Sequence, residues 1–421
     1  MVCARFRRGL GIVVTAVAAT LLAGSGGGGA TPRAHLSTAA RASAGIPGVG
    51  TLPRLPSAWP AAGRDARHSS ASDAVGPQSP AVRCKRDLGG RLTPGPVIGS
   101  DGSVLVATNS GILYALDPAT GASRWWFDGG APFGSDLSTS AAVISGGTVL
   151  WPGPGDALFA LSPTGRLLWK QSFAGQVLSP AVAGLDRVYV ADMAGHLTAL
   201  TAAGAAHSTL WSIRVGPDVD YASPTVGPDG TVYTASGNSL VAVHDTGSSG
   251  SIVWTFTSTA LVEVSNAVSP DGTVVLGTNG DREFGLAPDG NPSWALEIGD
   301  YTYSSSAVAP DGTAYFGDNM GRLHVVDSRT GGGGHTIAPL GAGKEKIWTS
   351  AASDARGNFY WGTTEGNVYG YRRDGSRLFH LPTGSPIDGY PAIGGDGSLY
   401  IGTTGGTLYA IGGSAVRPAP G

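Results

Sequence analysis

The sequence predicts an all-β protein, an eight-bladed β-propeller built from four-stranded antiparallel blades. This expectation rests on an excess of turn-forming residues, a motif that recurs along the chain, and a strand-like segment ahead of the first repeat. The 421 residues include 68 glycines and 28 prolines, whereas only 14% are charged and 8% aromatic. Proteins built from many short strands joined by tight turns have this composition, because glycine and proline interrupt longer elements.

The recurring motif is a run of small residues that ends in a branched or small residue. Successive copies are separated by 46, 39, 44, 42, 40, 45 and 40 residues. A period of about 40–45 residues with four short strands per unit is typical of propeller blades. The eight motif positions are Val97, Val143, Val182, Val226, Val268, Val308, Ser353 and Ile393.

Each unit repeats the same order of strands and turns. The first strand is followed by a tight turn such as 227–231 or 269–273, in which Asp-Gly supplies the positive φ of a hairpin. A β-branched and aromatic strand such as 399–403 comes next, then a third strand such as 113–117. The outer strand carries one large ring, for which we predict a packing role between blades. These rings are Trp125, Trp169, Trp211, Trp254, Trp294 and Phe379, with no obvious equivalent in the sixth unit.

The eighth unit contains three strands before the chain stops. The segment 81–88 lies just ahead of the first blade and has the pattern of an outer strand. We therefore predict that it completes the last blade and closes the ring, with Cys84 at the place of the tryptophan. Closure of this kind removes an exposed sheet edge.

The repeats at 113–127 and 158–173, the recurring V-Y-x-G-T strands and the lead-in at 59–77 carry a family resemblance. They resemble the PQQ-like, or quinoprotein alcohol dehydrogenase-like, propeller superfamily. The resemblance implies the propeller fold over about 59–413. It implies no single activity, since one frame hosts many functions.

Enzymes of that superfamily bind pyrroloquinoline quinone beside calcium, and many have a vicinal disulfide over the cofactor. Once an export signal has been removed, Cys84 is the only cysteine left, so the vicinal pair cannot form. The resemblance is therefore closer to the non-catalytic secreted or periplasmic members. The eight histidines show no metal-ligand spacing, and H-E-x-x-H, G-x-S-x-G and P-loop motifs are missing. We expect no cofactor, no metal and no catalytic residues.

The N-terminus has the pattern of an export signal. Residues 1–8 are basic and 10–23 are apolar, a stretch too short for a comfortable membrane span. Ser25 stands where a lipoprotein signal needs cysteine, so no lipid anchor is predicted, and an uncleaved anchor is the alternative. The predicted organisation is a signal peptide at 1–30, a disordered Ala/Pro/Ser/Gly-rich linker at 31–58, the propeller at 59–413 and a disordered tail at 414–421.

The net charge of −3 offers no basic face for nucleic acid. We expect a secreted or extracytoplasmic monomer whose partner is a protein or a component of the cell envelope.

Segments that lead into the inner strands gather at one mouth of the channel in this topology. Acidic groups and tyrosines there suit a cationic peptide, a sugar or a metal ion, or form a merely solvated rim. The candidate ligand-binding residues are Asp136, Asp220, Tyr221, Glu263, Asn266, Asp300, Tyr301, Tyr303, Asp388 and Tyr390.

Three functions follow as hypotheses. The first is a non-catalytic scaffold that binds a protein or envelope ligand at one face of the ring. The others are a quinone- and calcium-dependent oxidoreductase and a polysaccharide hydrolase or lyase at the channel mouth. The segment 331–348, with Lys344, Glu345 and Lys346, breaks the repeat and is either an interaction loop or a degenerate outer strand.

Overall fold

The computed structural model describes residues 57–133, 139–183, 187–218, 221–339 and 343–413. The predicted signal peptide, nearly all of the predicted linker and the predicted tail lie outside these ranges. The described residues form eight four-stranded antiparallel sheets and no α-helix. The all-β, eight-bladed propeller is therefore confirmed.

The strands follow the chain from blade to blade. The segment before blade 1 contains β1 (Val82–Asp87). Blade 1 contains β2 (Val97–Ile98), β3 (Val104–Ala107), β4 (Ile112–Leu116) and β5 (Ser123–Asp128). Blade 2 contains β6 (Ala142–Val143), β7 (Val149–Gly153), β8 (Ala157–Leu161) and β9 (Leu167–Ser172), with a 3-10 turn at Ser145–Gly147. Blade 3 contains β10 (Ala181–Ala183), β11 (Arg187–Asp192), β12 (His196–Ala203) and β13 (Ala206–Arg214). Blade 4 contains β14 (Thr225–Val226), β15 (Val232–Ser236), β16 (Ser239–Asp245) and β17 (Gly250–Thr257).

The second half of the ring repeats this order. Blade 5 contains β18 (Ala267–Val268), β19 (Val274–Gly277), β20 (Arg282–Leu286) and β21 (Pro292–Glu297). Blade 6 contains β22 (Ala307–Val308), β23 (Thr313–Gly317), β24 (Leu323–Asp327) and β25 (His335–Ile337). Blade 7 contains β26 (Ala352–Ser353), β27 (Phe359–Gly362), β28 (Asn367–Tyr371) and β29 (Arg377–Pro382). Blade 8 contains β30 (Ala392–Ile393), β31 (Leu399–Gly402) and β32 (Thr407–Ile411).

The eighth blade is completed by β1, which pairs antiparallel with β32. Cys84 lies opposite Ala410, and a bulge lies just before it, between Val82 and Cys84. Arg83 adds a contact to the hairpin of the same blade, where its Nη1 lies 2.6 Å from Oδ2 of Asp396. The predicted closure by an N-terminal strand is confirmed.

The outer-strand rings lie opposite a small residue of the third strand. Trp125 pairs with Ala115 and Trp294 with Gly285, and Cys84 has the same register against Ala410. A Cβ atom on Gly285 would stand 2.0 Å from the Trp294 indole, so the ring covers that backbone. Blade 6 does have an occupant of this position, which the sequence pattern missed: His335, opposite Val325.

Each tryptophan also reaches the next blade. The indole Nε1–H of Trp125 donates to the carbonyl oxygen of Pro163 at 2.8 Å, and that of Trp254 donates to Pro288 at 2.9 Å. The ring of Trp125 lies on Gly165, whose φ of +81° and 2.7 Å clearance for a Cβ leave room for glycine alone. The rings therefore join neighbouring blades, in agreement with the predicted packing role.

The segment 57–77 lies against the inner strands at one end of the channel, an arrangement that the sequence did not predict. We call Trp59–Ser70 the axial segment. Its carbonyl oxygens at Trp59, Pro60, Ala66, Arg67 and Ser70 accept the amides of Ile98, Val143, Val226, Val268 and Ser353 at 2.7–3.0 Å. It thus supplies hydrogen-bond partners to the inner edges of blades 1, 2, 4, 5 and 7.

The axial segment is held in a constrained conformation. Arg64, His68 and Ser70 have φ values of 74°, 55° and 44°, in the left-handed region that favours glycine. His68 is buried, and burial lowers its pKa to about 4, so the imidazole is neutral at ordinary pH. Tyr315 fixes the segment from blade 6, because its hydroxyl donates to the carbonyl oxygens of Ser69 and Ser70 at 2.9 Å.

Candidate functional site

The ring has two faces that differ in what they carry. The hairpin face contains the turns between first and second strands, and the axial segment bonds to the inner strands next to these turns. The loop face contains the segments that lead from each outer strand to the next inner strand, where the sequence analysis placed its candidates. Asp136 and Asp220 lie outside the described residues. The other eight candidates divide into an exposed group and a group that is engaged in internal contacts.

The exposed group is centred on a row of aromatic rings. Tyr301 and Tyr303 lead into blade 6, and their ring centroids are 5.4 Å apart at an interplanar angle of 81°. Tyr303 makes a second edge-on contact with Trp348 at 5.5 Å. The two tyrosines remain 39% and 38% exposed, although aromatic side chains gain most when they are buried. The row is therefore an exposed apolar surface, and such surfaces often mark interaction sites.

Two carboxylates, those of Glu263 and Asp300, lie on the same face of the ring as this row. Burial raises the pKa of Tyr303, and electrostatic interactions with Glu263, Tyr301 and Tyr221 raise it further. Glu263 accepts a hydrogen bond from the amide nitrogen of Asn279, and Asp300 accepts one from the backbone of Tyr301 at 2.8 Å. Five of the predicted residues lie on the segments that lead into blades 4, 5 and 6 on one face of the ring, and we call this set the aromatic patch: Tyr221, Glu263, Asp300, Tyr301 and Tyr303.

Tyr221 occupies an unusual backbone conformation in the patch. Its φ is 54°, a region that bulky L-residues rarely adopt, and its side chain is 50% exposed. Strain of this kind costs about 1–3 kcal/mol and is concentrated at binding and catalytic sites. The strained tyrosine is thus an observation in favour of the patch as a site.

Trp348 belongs to the same surface and was not among the predicted residues. Its indole Nε1–H donates to Oδ1 of Asn319 at 2.6 Å, and Lys346 Nζ lies 5.6 Å from the centroid of its ring. The sequence signal was the break in the repeat at 331–348. That segment contains the degenerate outer strand, β25, and a loop that carries Trp348, for which a role as an interaction loop stays a prediction.

The loop that carries Trp348 is anchored by Glu345. This side chain is buried, and its Oε1 accepts hydrogen bonds from the Asn367 amide at 2.5 Å and the Tyr369 hydroxyl at 3.2 Å. Burial raises the pKa of Glu345. The backbone of Lys346 adds a bond to Glu365 at 3.0 Å. Trp348 is therefore held in place before any ligand binds.

The remaining candidates are engaged inside the ring. Asp388 lies 3.5 Å from the Arg91 guanidinium, and burial raises its pKa while Arg91 opposes the rise. Asn266 is buried and donates through Nδ2 to the Thr225 hydroxyl at 2.6 Å. Its amide therefore belongs to the inner-strand packing and adds nothing to the exposed surface.

Tyr390 extends from blade 8 to blade 6. Its hydroxyl oxygen lies 2.9 Å from the hydroxyl oxygen of Ser305, and burial raises the pKa of this phenol. Ser305 also accepts the amide of Ser265 at 3.1 Å, and Ser265 accepts that of Ser223 at 2.8 Å. The backbone amide of one blade thus donates to the serine hydroxyl at the equivalent position of the next blade, and Tyr390 adds a hydroxyl contact to Ser305.

A groove of about 400 Å³ lies on the hairpin face between blades 6 and 7. Its walls carry both signs of charge, and its main groups are paired: Arg373 with Asp311 at 2.6 Å, and Asp73 with Arg64 at 2.8 Å. It is remote from the aromatic patch, and its balanced charge selects no class of ligand. We place the candidate site at the patch for this reason.

In the described ranges, which do not include Asp136 and Asp220, the side chains show no grouping that would hold the calcium ion of the catalytic superfamily members. Calcium takes six to eight oxygen ligands, with carboxylates prominent among them. In the ranges that the structure covers, no three His, Cys, Asp or Glu side chains are grouped to hold a metal ion. Of the described acids at the channel mouth, Asp388 lies beside Arg91 and Glu263 accepts a hydrogen bond from Asn279.

Comparisons with known proteins agree with the fold. A PQQ-type family model, described as "Outer membrane protein assembly factor BamB", matches residues 69–141, 131–215 and 203–338. The protein of that name from Burkholderia pseudomallei (strain K96243) is 35% identical over 115 residues, which is 27% of this chain and only 28% of that protein.

Solved structures show the same architecture at low identity. BamB from Moraxella catarrhalis superposes with a TM-score of 0.60 and 16% identity, covering 79% of this chain and 99% of that one. A quinohemoprotein alcohol dehydrogenase from Pseudomonas putida HK5 superposes with a TM-score of 0.64 and 15% identity, covering 87% and 82%. The predicted resemblance to PQQ-like propellers is confirmed. The described residues contain no helix that is long and apolar enough to cross a membrane.

Proposed function

Since the chain belongs to the PQQ-type propeller family described as outer membrane protein assembly factor BamB, we propose that it is an exported, non-catalytic scaffold. In this proposal the protein binds another protein, or a component of the cell envelope, through the loop face of its ring. It acts as a monomer and needs no cofactor.

The aromatic patch is the observation that carries the proposal. Tyrosine and tryptophan are enriched where proteins bind other proteins, because rigid rings provide contact area at little entropic cost. The neighbouring loop is fixed in advance by Glu345, which lowers the ordering cost of binding. The axial segment occupies the opposite end of the channel and leaves the loop face as the accessible one.

Export is part of the same proposal. Residues 1–30 act as the signal and 31–58 as the linker, and both predictions stay proposals because residues 1–56 lie outside the described ranges. Ser57 and Ala58 begin the described chain on the hairpin face, where Ala58 lies beside Gly395. A linker that starts there leaves the aromatic patch on the opposite face.

The test places a photo-crosslinking amino acid at Tyr303 in the full chain, expressed in a host with an intact envelope. The matched control places the same residue at Trp126, which is 60% exposed on the outer strand of blade 1. We expect a discrete adduct with an identifiable envelope protein from position 303 and none from position 126. Equal labelling at both positions, or adducts with cytoplasmic proteins only, would contradict the proposal.

A further inference from the structure

We propose that the aromatic patch binds an extended basic segment of a partner protein, with an Arg or Lys side chain held between the ring of Tyr303 and the carboxylate of Glu263. This inference rests on the proposed function and deepens it by naming the chemistry of the partner. It follows from charge, ring geometry and one internal contact.

The charge of the patch is uncompensated. Glu263 and Asp300 have no cationic group within 4.0 Å among the residues that the structure describes, whereas Asp388 on the same face lies 3.5 Å from Arg91. Their printed partners are neutral donors, the amide of Asn279 and the backbone of Tyr301. A guanidinium or ammonium group from a partner would supply the missing positive charge, and charge-assisted hydrogen bonds of this kind are the stronger class.

The contact of Lys346 with Trp348 is an internal example of the cation–π interaction that we propose for the partner. Its Nζ lies 5.6 Å from the centroid of the indole, within the range in which a ring quadrupole attracts a cation. The patch thus accepts a cation at one end of the aromatic row. The charge of Glu263 acts on Tyr303, the central ring, and no cation of the described residues lies over the face of this ring.

Ring geometry favours a cation over a sugar. A pyranose stacks on a flat aromatic platform, whereas the planes of Tyr301 and Tyr303, and those of Tyr303 and Trp348, meet at 81°. These edge-on pairs form no common plane on which a saccharide ring could lie. They offer single ring faces beside carboxylates, which suits a charged side chain.

The patch also extends along the ring. Tyr221 leads into blade 4, Glu263 into blade 5, Tyr303 into blade 6 and Trp348 into blade 7. Sites on four successive blades favour a ligand with repeated cationic groups over a single small ion. An extended peptide has this form, since its side chains are spaced regularly along the backbone.

The probe is a fluorescein-labelled hexapeptide of alternating Arg and Gly, titrated against the full chain by fluorescence anisotropy. Its matched control replaces Arg by citrulline, which keeps the shape and removes the charge. We expect the Arg peptide to bind about tenfold more tightly than the citrulline peptide, and the difference to shrink as salt is added. Equal affinity of the two peptides would overturn the proposal.

Variants locate the binding. Glu263→Gln removes the charge and keeps the hydrogen-bond acceptor, and Tyr303→Ser removes the ring. Each variant should weaken binding of the Arg peptide by about tenfold, whereas Trp126→Ser, on the outer strand of blade 1, should leave the affinity unchanged. Unfolding midpoints confirm that each variant is folded. Affinity that persists in both Glu263→Gln and Tyr303→Ser would overturn the assignment.

Other occupants give distinct results. A neutral oligosaccharide that competes with the Arg peptide at equal concentration would assign the patch to carbohydrate. The chain's own segment 31–56 contains Arg33, Arg41 and Arg54 and no acidic residue. If the Arg peptide binds only after this segment is removed by proteolysis, the occupant is the chain itself and the partner proposal fails. A crosslink from position 303 without affinity for the Arg peptide would leave the proposed function in place and overturn this inference alone.

Discussion

The hydroxyl oxygens of Tyr390 and Ser305 lie 2.9 Å apart and join blade 8 to blade 6 beside the channel. The contact skips blade 7, so it connects parts of the ring that share no sheet. Tyr390 takes the position that serine holds in most other blades, and only a long side chain can make this connection. A predicted ligand-binding residue is thus also a structural link.

Removal of the Tyr390 hydroxyl group should lower the stability of the propeller by a small and measurable amount. Tyr390→Phe keeps the buried ring and deletes the hydroxyl, so we expect the free energy of unfolding to fall by about 1 kcal/mol. The urea midpoint of the purified protein measures the change. Tyr114→Phe, at a half-buried tyrosine, is the control and should be nearly neutral. Equal loss in both variants would show that the contact with Ser305 contributes nothing of its own.

Ring closure depends on Arg83 in a way that can be separated from ordinary surface charge. Its pair with Asp396 is 2.6 Å long, and the two side chains are 16% and 24% exposed. Arg83→Gln should lower the free energy of unfolding by about 1.5–3 kcal/mol, the range for a charged hydrogen bond. The control is Arg373→Gln, whose equally short pair with Asp311 is 60% and 45% exposed and should contribute less than about 1 kcal/mol. The same loss in both would mean that closure does not depend on this pair.

Glu283 should make stability depend on pH. It is fully buried, its Oε1 accepts a bond from Ser306, and burial raises its pKa from 4.5 to about 8. The folded protein therefore keeps a proton on Glu283 that the unfolded chain releases, and this stabilisation is complete below pH 4.5 and declines as pH rises to about 8.

Glu283→Gln should remove this dependence, because the amide is neutral throughout. In the original protein, the free energy of unfolding should fall by at most about 1.4 kcal/mol per pH unit between pH 4.5 and about 8. Unfolding midpoints of both proteins measured across the window give the difference, which should grow in favour of the variant as pH rises. Parallel pH profiles would show that Glu283 titrates normally in the folded state.

The blade count and the ring closure were predictable because the signals are local. Each Asp-Gly turn, each branched strand and the spacing of the outer rings are set within one unit, and β1 has the pattern of an outer strand. The axial segment was not predictable in this way. Its bonds join Trp59 to Ile98 and Ser70 to Ser353, and no periodic pattern relates residues so far apart in sequence.

The candidate site was predicted in part for a similar reason. Topology alone brings Tyr221, Glu263 and Tyr303 to one face, and the structure groups them. Whether a polar side chain points outward depends on its neighbours, so the burial of Asn266 against Thr225 could not be inferred from its place in the motif. Trp348 was missed because it lies in the one segment where the repeat is broken.

The irregular sixth blade leads to the last prediction. His335 occupies the ring position, and its imidazole lies 3.6 Å from where a Cβ of Gly375 would stand, the same turn that receives a tryptophan in other blades. Val325 lies opposite, where the tryptophan-bearing blades have alanine or glycine.

His335→Trp alone should therefore overpack the site and lower the free energy of unfolding by about 1–3 kcal/mol. When His335→Trp is combined with Val325→Ala, the indole gains room to lie over the third strand. The double variant should therefore lose about 1 kcal/mol less free energy of unfolding than the two single variants lose together. Denaturant midpoints of the two single variants and the double variant complete the cycle. Additive losses would show that Val325 does not exclude a larger ring, and the absence of tryptophan from blade 6 would then require a different physical reason.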